Sequence, residues 1–156
     1  MRTLPDGASR TSTASACWSG HLKNQVGAAR TKQGGNAPTS FLIVDAQSVK
    51  NADTAGQKGY DAGNKVSGIK RHIAVDTQGL PHAVAVTTAD VTDRKGALQA
   101  LGRCKATLDQ VQSVLADSGY AGTPYAQGIQ DILGEAVSVQ IAKRSELHTF
   151  NLQRFV

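Results

Sequence analysis

FLIVDAQSVKN, residues 41–51, decides how the rest of the chain is read. Four consecutive apolar residues run directly into Asp45, where a buried strand more usually passes through Gly, Asn or Pro before it meets a charge. A run that is apolar on both faces fits a central strand in a sheet covered on both sides, so residues 41–45 are read as a first strand. Asp45 then stands at its carboxyl end.

Before that strand, residues 1–36 are rich in Ser, Thr, Ala and Gly, with five basic residues (Arg2, Arg10, Lys23, Arg30, Lys32) against one acidic residue, Asp6. No period of 3.6 or 2 runs through them, which predicts a basic arm without regular structure over residues 1–38. After the strand, residues 53–68 carry glycines at 56, 59, 63 and 68 and read as a long connection. GIKRHIAVDTQG, residues 68–79, then alternates strictly: Ile69, Arg71, Ile73 and Val75 share one face, and Lys70, His72, Ala74 and Asp76 the other. TQGLP supplies turn chemistry and PHAVAVTTA follows as a third strand, so residues 68–89 form an antiparallel hairpin.

The period changes to a helical one over residues 91–109, with Thr92 or Asp93 as cap and Leu98, Leu101 and Leu108 on one side. VLA follows as a short buried strand ending on Asp117. Residues 123–134 form a second helix, with Thr123 as cap, Pro124 in the first turn and Gly134 as its stop. EAVSVQIAK is a fifth strand, and residues 144–156 have no assignment. The order strand, strand, strand, helix, strand, helix, strand predicts a mixed α/β sheet in which the first and fourth strands lie side by side and parallel.

Composition sets the outer bounds. The 156 residues suit one domain, and 40% hydrophobic with 19% charged residues suits a globular chain. No apolar run approaches the roughly 18 residues of a membrane span, so no membrane partner is expected. Cys17 and Cys104 lack zinc, redox-pair or disulfide-framework spacing. A net charge of +5 favours a polyanionic partner. GYDAGNK fails the spacing of a phosphate-binding loop, so no nucleotide cofactor is expected.

FLIVD and VLAD are therefore two apolar strands that each end in Asp. Ligands of open α/β sheets bind outside the carboxyl ends of strands, and hard carboxylate oxygens suit Mg2+ or Mn2+. Two such ions about 4 Å apart assist in-line phosphoryl transfer. Taken singly, Asp45 or Asp117 reads equally well as a loop cap; the pairing favours a shared metal site.

FLIVDAQSVKN, the run from GYDAGNKVSGIKRHIAVDTQG onward, and LADSGYAG together resemble the catalytic domain of bacterial insertion-sequence transposases of the DDE type, in their IS-five-like branch. The resemblance covers about residues 39–149. It implies a ribonuclease-H-like fold, two Mg2+ or Mn2+ ions, cleavage of double-stranded DNA at transposon ends by activated water, and strand transfer into target DNA by the freed 3′ hydroxyl. Asp45 and Asp117 match the first two catalytic carboxylates, as metal ligands.

The basic block of Lys65, Lys70, Arg71 and His72 would contact the DNA backbone. The alternative for each is a solvated strand face. The family's third carboxylate, a Glu on a helix after the fifth strand, has no clear counterpart: Glu135 precedes that strand, and the surroundings of Glu146 do not match. Residues 150–156 are expected to be a truncated tail, and the chain inactive or nearly so by itself. The competing reading is a DNA-binding or dimerising remnant, pairing with itself or with an intact transposase as an inhibitor. The expected location is the bacterial cytoplasm, with the nucleoid. Asp53, Asp61, Asp76, Asp90 and Asp93 are read as loop, turn and cap residues, and His21, His82 and His148 receive no role.

Overall fold

The computed structural model describes residues 21–51 and 56–142. Its elements run α1 (His21–Lys32), β1 (Phe41–Lys50), β2 (Gly59–Asp61), β3 (Val66–Val75), β4 (Pro81–Thr88), α2 (Asp93–Cys104), β5 (Ser113–Asp117), α3 (Thr123–Leu133) and β6 (Ser138–Ala142). α1 falls inside the stretch expected to lack regular structure. Its apolar positions are few, so no clear period marks it, and Val26 is its buried anchor.

β1 is the centre of the sheet. It pairs antiparallel with β3 from Ile43↔Val75 to Lys50↔Gly68, and parallel with β5 from Phe41↔Ser113 to Val44↔Ala116. β6 extends the parallel side, and β4 and β2 share the outer edge of β3. The first strand therefore runs past Asp45 to Lys50, because its antiparallel neighbour continues after its parallel neighbour has ended. β2 lies within the segment read as a connection.

α2 and α3 cover one face. Leu42 and Val44 of β1, Ala74 of β3, Ala83 and Ala85 of β4, and Val114 and Ala116 of β5 point into that layer, against Ala97, Ala100 and Leu101 of α2 and Ile129 of α3. Full burial of a Leu or Ile side chain stabilises by about 1.5–3 kcal/mol. Thr92 caps α2, accepting from the Lys95 N–H at 3.3 Å. At α3 the cap position is Gly122 rather than Thr123, with Pro124 in the first turn; Gly134 at φ 122 ends the helix. The opposite face carries Phe41, Ile43, Ile73, Val84, Val86 and Leu115, and no described element covers it, leaving Val84 44% and Val86 54% exposed. The sheet is thus closed on one side only among the described residues, where sequence had suggested cover on both.

Candidate metal and DNA site

Strand register brings Asp45 and Asp117 together. The last parallel pair is Val44↔Ala116, so each aspartate occupies the next position of two neighbouring strands, which run about 4.8 Å apart. Side chains alternate along a strand, so with Val44 and Ala116 buried under α2, both carboxylates project from the open face. Both are exposed. Asp117 also caps the short helical turn after β5, its Oδ1 accepting from the Gly119 N–H at 2.8 Å.

Two exposed carboxylates suit a hard cation that keeps part of its water shell and takes further oxygens from a substrate phosphate. Among the described residues no group of three His, Cys, Asp or Glu is arranged to hold a metal. Glu135 is exposed and precedes β6, at the end of the sheet remote from Asp117. Glu146 lies outside the described residues.

The basic block divides between two environments. Arg71 is exposed on the open face, where its Nη2 donates to Oε1 of Gln47, the residue opposite it on β1. Lys65 is exposed in the turn between β2 and β3, with φ at 55. Lys70 and His72 point the other way, beneath α2, and are 5% and 0% exposed. A solvated face for these two is ruled out by that burial.

The Lys70 ammonium lies 2.9 Å from both Asp61 and Asp93. Burial works against its charge more than any other single influence, yet the two carboxylates, Asp93 first, outweigh it and raise the pKa. Asp61 in turn accepts from Ser48, Asn64 and the backbone N–H groups of Gly63 and Asn64. The Ser48 bond, followed by Lys70 and Asn64, holds its carboxyl well below the usual carboxylate range. One ammonium therefore fastens the start of α2 to β3 and to the β2 turn. The ordinary loop and cap roles expected of Asp61 and Asp93 understate them, since each is half of a buried or partly buried ion pair.

His72 sits under Gly96. Its Nε2 lies 2.9 Å from the Thr87 hydroxyl, while Nδ1 is buried without a hydrogen-bond partner among the described residues. Burial, opposed by Asp93, lowers its pKa and keeps the ring neutral. Tyr120 and Tyr125 pack with ring centroids 5.1 Å apart, and burial raises both phenol pKa values.

At the opposite end of the sheet Asp76 is a buried anchor as well as the turn residue expected of it. It pairs with Arg30 of α1 and with His82 of β4, and accepts from the backbone of Gln78 and Leu80. Burial works to raise its pKa, but these bonds, with His82 first, bring it down to about 2. A cavity of about 610 Å³ lies beside this anchor, between α1 and the loops at the start of β1 and β5, away from the aspartate pair.

Two residues near the carboxylates escaped the sequence reading. Gln47 follows Asp45 by two positions and so shares its face, a relation visible only once β1 is known to continue. Arg94 donates from Nε to the Gly119 carbonyl at 3.1 Å, beside the Asp117 turn; nothing in the local sequence signals that contact.

A mixed sheet with its central strand parallel to one neighbour and antiparallel to the other, helices packed on it, is consistent with a ribonuclease-H-like transposase domain. The family model described as the transposase DDE domain matches residues 36–151, and the chain belongs to that family. No curated protein matches the chain. The chain is thus a DDE-type transposase domain, of a family of DNA phosphoryl-transfer enzymes that typically depend on divalent metal.

Proposed function

We propose that this chain acts on double-stranded DNA as a transposase of the IS-five-like branch, with Asp45 and Asp117 as ligands to Mg2+ or Mn2+. The observation that carries the reading is the register of β1 and β5, which puts two exposed carboxylates side by side on the open face of a DDE-family sheet. The bound cations would polarise the scissile phosphate and lower the pKa of the attacking water. Asp45 and Asp117 supply oxygen ligands, and the rigid, half-buried β1–β5 pair limits their movement. Arg71 and Lys65 are the members of the basic block exposed for phosphate contact; Lys70 and His72 support the strand from beneath.

As an enzyme with two carboxylates side by side among the described residues, the chain is expected to bind a transposon-end duplex and to nick it slowly, above background. The same observation supports a second reading, a non-catalytic partner that binds DNA and inhibits an intact transposase. Labelled duplex incubated with protein and Mn2+ separates the two: nicking supports the enzyme, and a mobility shift without nicking supports the inhibitor. Thermal stabilisation by Mn2+ tests the site itself. It should vanish in Asp45→Ala and in Asp117→Ala; retention in both would remove the shared site.

A further inference from the structure

Arg71 is an exposed cation on the open face of the sheet. It forms no ion pair among the described residues, and its side-chain hydrogen bond goes to a neutral carboxamide, Gln47. Its neighbours on the open face are Ile69 and Ile73 along β3 and Val86 across on β4, none of which offers an acceptor. The nearest anion by register is Asp45, which stands opposite Ile73, diagonal to Arg71 across the β1–β3 pair. Diagonal positions of an antiparallel pair are about 7–8 Å apart, within reach of a long side chain. Even so, the guanidinium is turned to Gln47.

We propose that Gln47 is a positioning residue: it holds Arg71 along the open face as a clamp for a DNA phosphate, and keeps it from closing onto Asp45. The chemistry of the pair fits this role. A guanidinium presents five N–H donors, of which Gln47 occupies one, and the carboxamide NH2 adds two donors of its own. With the Gln47 oxygen engaged by Arg71, the donors that remain suit the non-bridging oxygens of a phosphodiester beside Asp45. A carboxylate at position 47 would satisfy Arg71 equally well but cancel its charge. The inference rests on the DNA-acting reading of Asp45 and Asp117, and adds a residue that the reading does not supply.

The test uses the full chain and a fluorescent duplex, with affinity followed across salt concentrations. Each phosphate contact contributes a slope of about 0.9 in log K against log salt, or roughly five-fold in affinity at 0.15 M salt. Arg71→Gln should lose that amount. Gln47→Glu should lose as much while keeping or raising thermal stability, an outcome that a merely structural role for Gln47 does not produce. Gln47→Leu should also lose the contact, because Arg71 then pairs with Asp45, and adding Asp45→Asn to it should recover most of the affinity. Wild-type slope and affinity in Gln47→Glu and Gln47→Leu, beside a loss in Arg71→Gln, would overturn the inference and leave the DNA reading intact. Absence of duplex binding by the unmodified chain would overturn both.

Discussion

Replacing Gly96 by alanine tests a close contact between α2 and β3. A Cβ built there lies 2.1 Å from Cε1 and Nε2 of His72, far inside the 3.5–4.0 Å of ordinary carbon contact. The ring cannot swing aside, since it is 0% exposed and its Nε2 is bonded to Thr87 at 2.9 Å. Either α2 lifts from the sheet, loosening Ala97, Ala100 and Leu101, or the imidazole leaves its rotamer and its partner.

Overpacking of this kind costs about 1–3 kcal/mol, here at the upper end, and loss of the hydrogen bond adds about 1 kcal/mol. The gain in helix propensity from Gly to Ala returns about 1 kcal/mol. The net expectation is a loss of about 2–3 kcal/mol, or roughly 8–12 °C in Tm at about 4 °C per kcal/mol. Urea unfolding should show a lower midpoint with an unchanged slope. In a His72→Ala background the same Gly96→Ala change should be neutral or stabilising, because the obstructing ring is gone. Additive effects of the two substitutions would refute the steric argument, as would a stable Gly96→Ala single variant.

Other expectations follow from the buried charges and the cap. Lys70→Met should destabilise by about 3–5 kcal/mol, because it leaves the Asp61 and Asp93 carboxylates without their ammonium; urea unfolding reads the loss, and a fold unchanged to within 1 kcal/mol would contradict the network. Stability should fall in two stages on acidification. Below about pH 6.5 the unfolded chain protonates His72 while burial keeps the folded ring neutral. From about pH 4 downward the unfolded chain protonates Asp61 and Asp76 ahead of the folded one, Asp76 contributing about 2 kcal/mol of the loss. Denaturant midpoints at pH 7, 5 and 3 should follow this course, and Asp76→Asn should shrink the lower stage to the part that Asp61 contributes, leaving the upper stage unchanged. Thr92→Ala should cost about 1 kcal/mol through loss of the α2 cap, seen as a drop of a few degrees in Tm.

The element order was readable because each segment keeps one period: alternation through residues 69–76, a helical spacing from Leu98 to Leu101, and Gly134 as a stop. What alternation left open was which side of β3 faces inward. Ile69, Ile73 and Val75 lie half-buried on the open face, whereas Lys70, His72 and Asp76 lie in the interior. Alternation assigns residues to two faces but does not say which is covered. The polar side is tolerable inside only because Asp61, Asp93, Thr87, Arg30 and His82 arrive from other segments to satisfy it, and those meetings are tertiary. That the strands leading into Asp45 and Asp117 are parallel neighbours was legible from the order of the elements. The continuation of β1 to Lys50 was not, since SVK after a charge carries too little apolar signal.

The register of β1 against β5 also bears on when the site comes into being. These strands are far apart in the chain, and between them lie a hairpin, the β2 turn and α2. Parallel pairing across such a separation has a high contact order and forms slowly, after the local hairpin and helix. The unfolded or half-folded chain therefore has single aspartates but no pair. Under the metal-ligand role proposed for the two aspartates, affinity for divalent cations would be confined to the finished sheet, and bound metal would stabilise the native state by mass action.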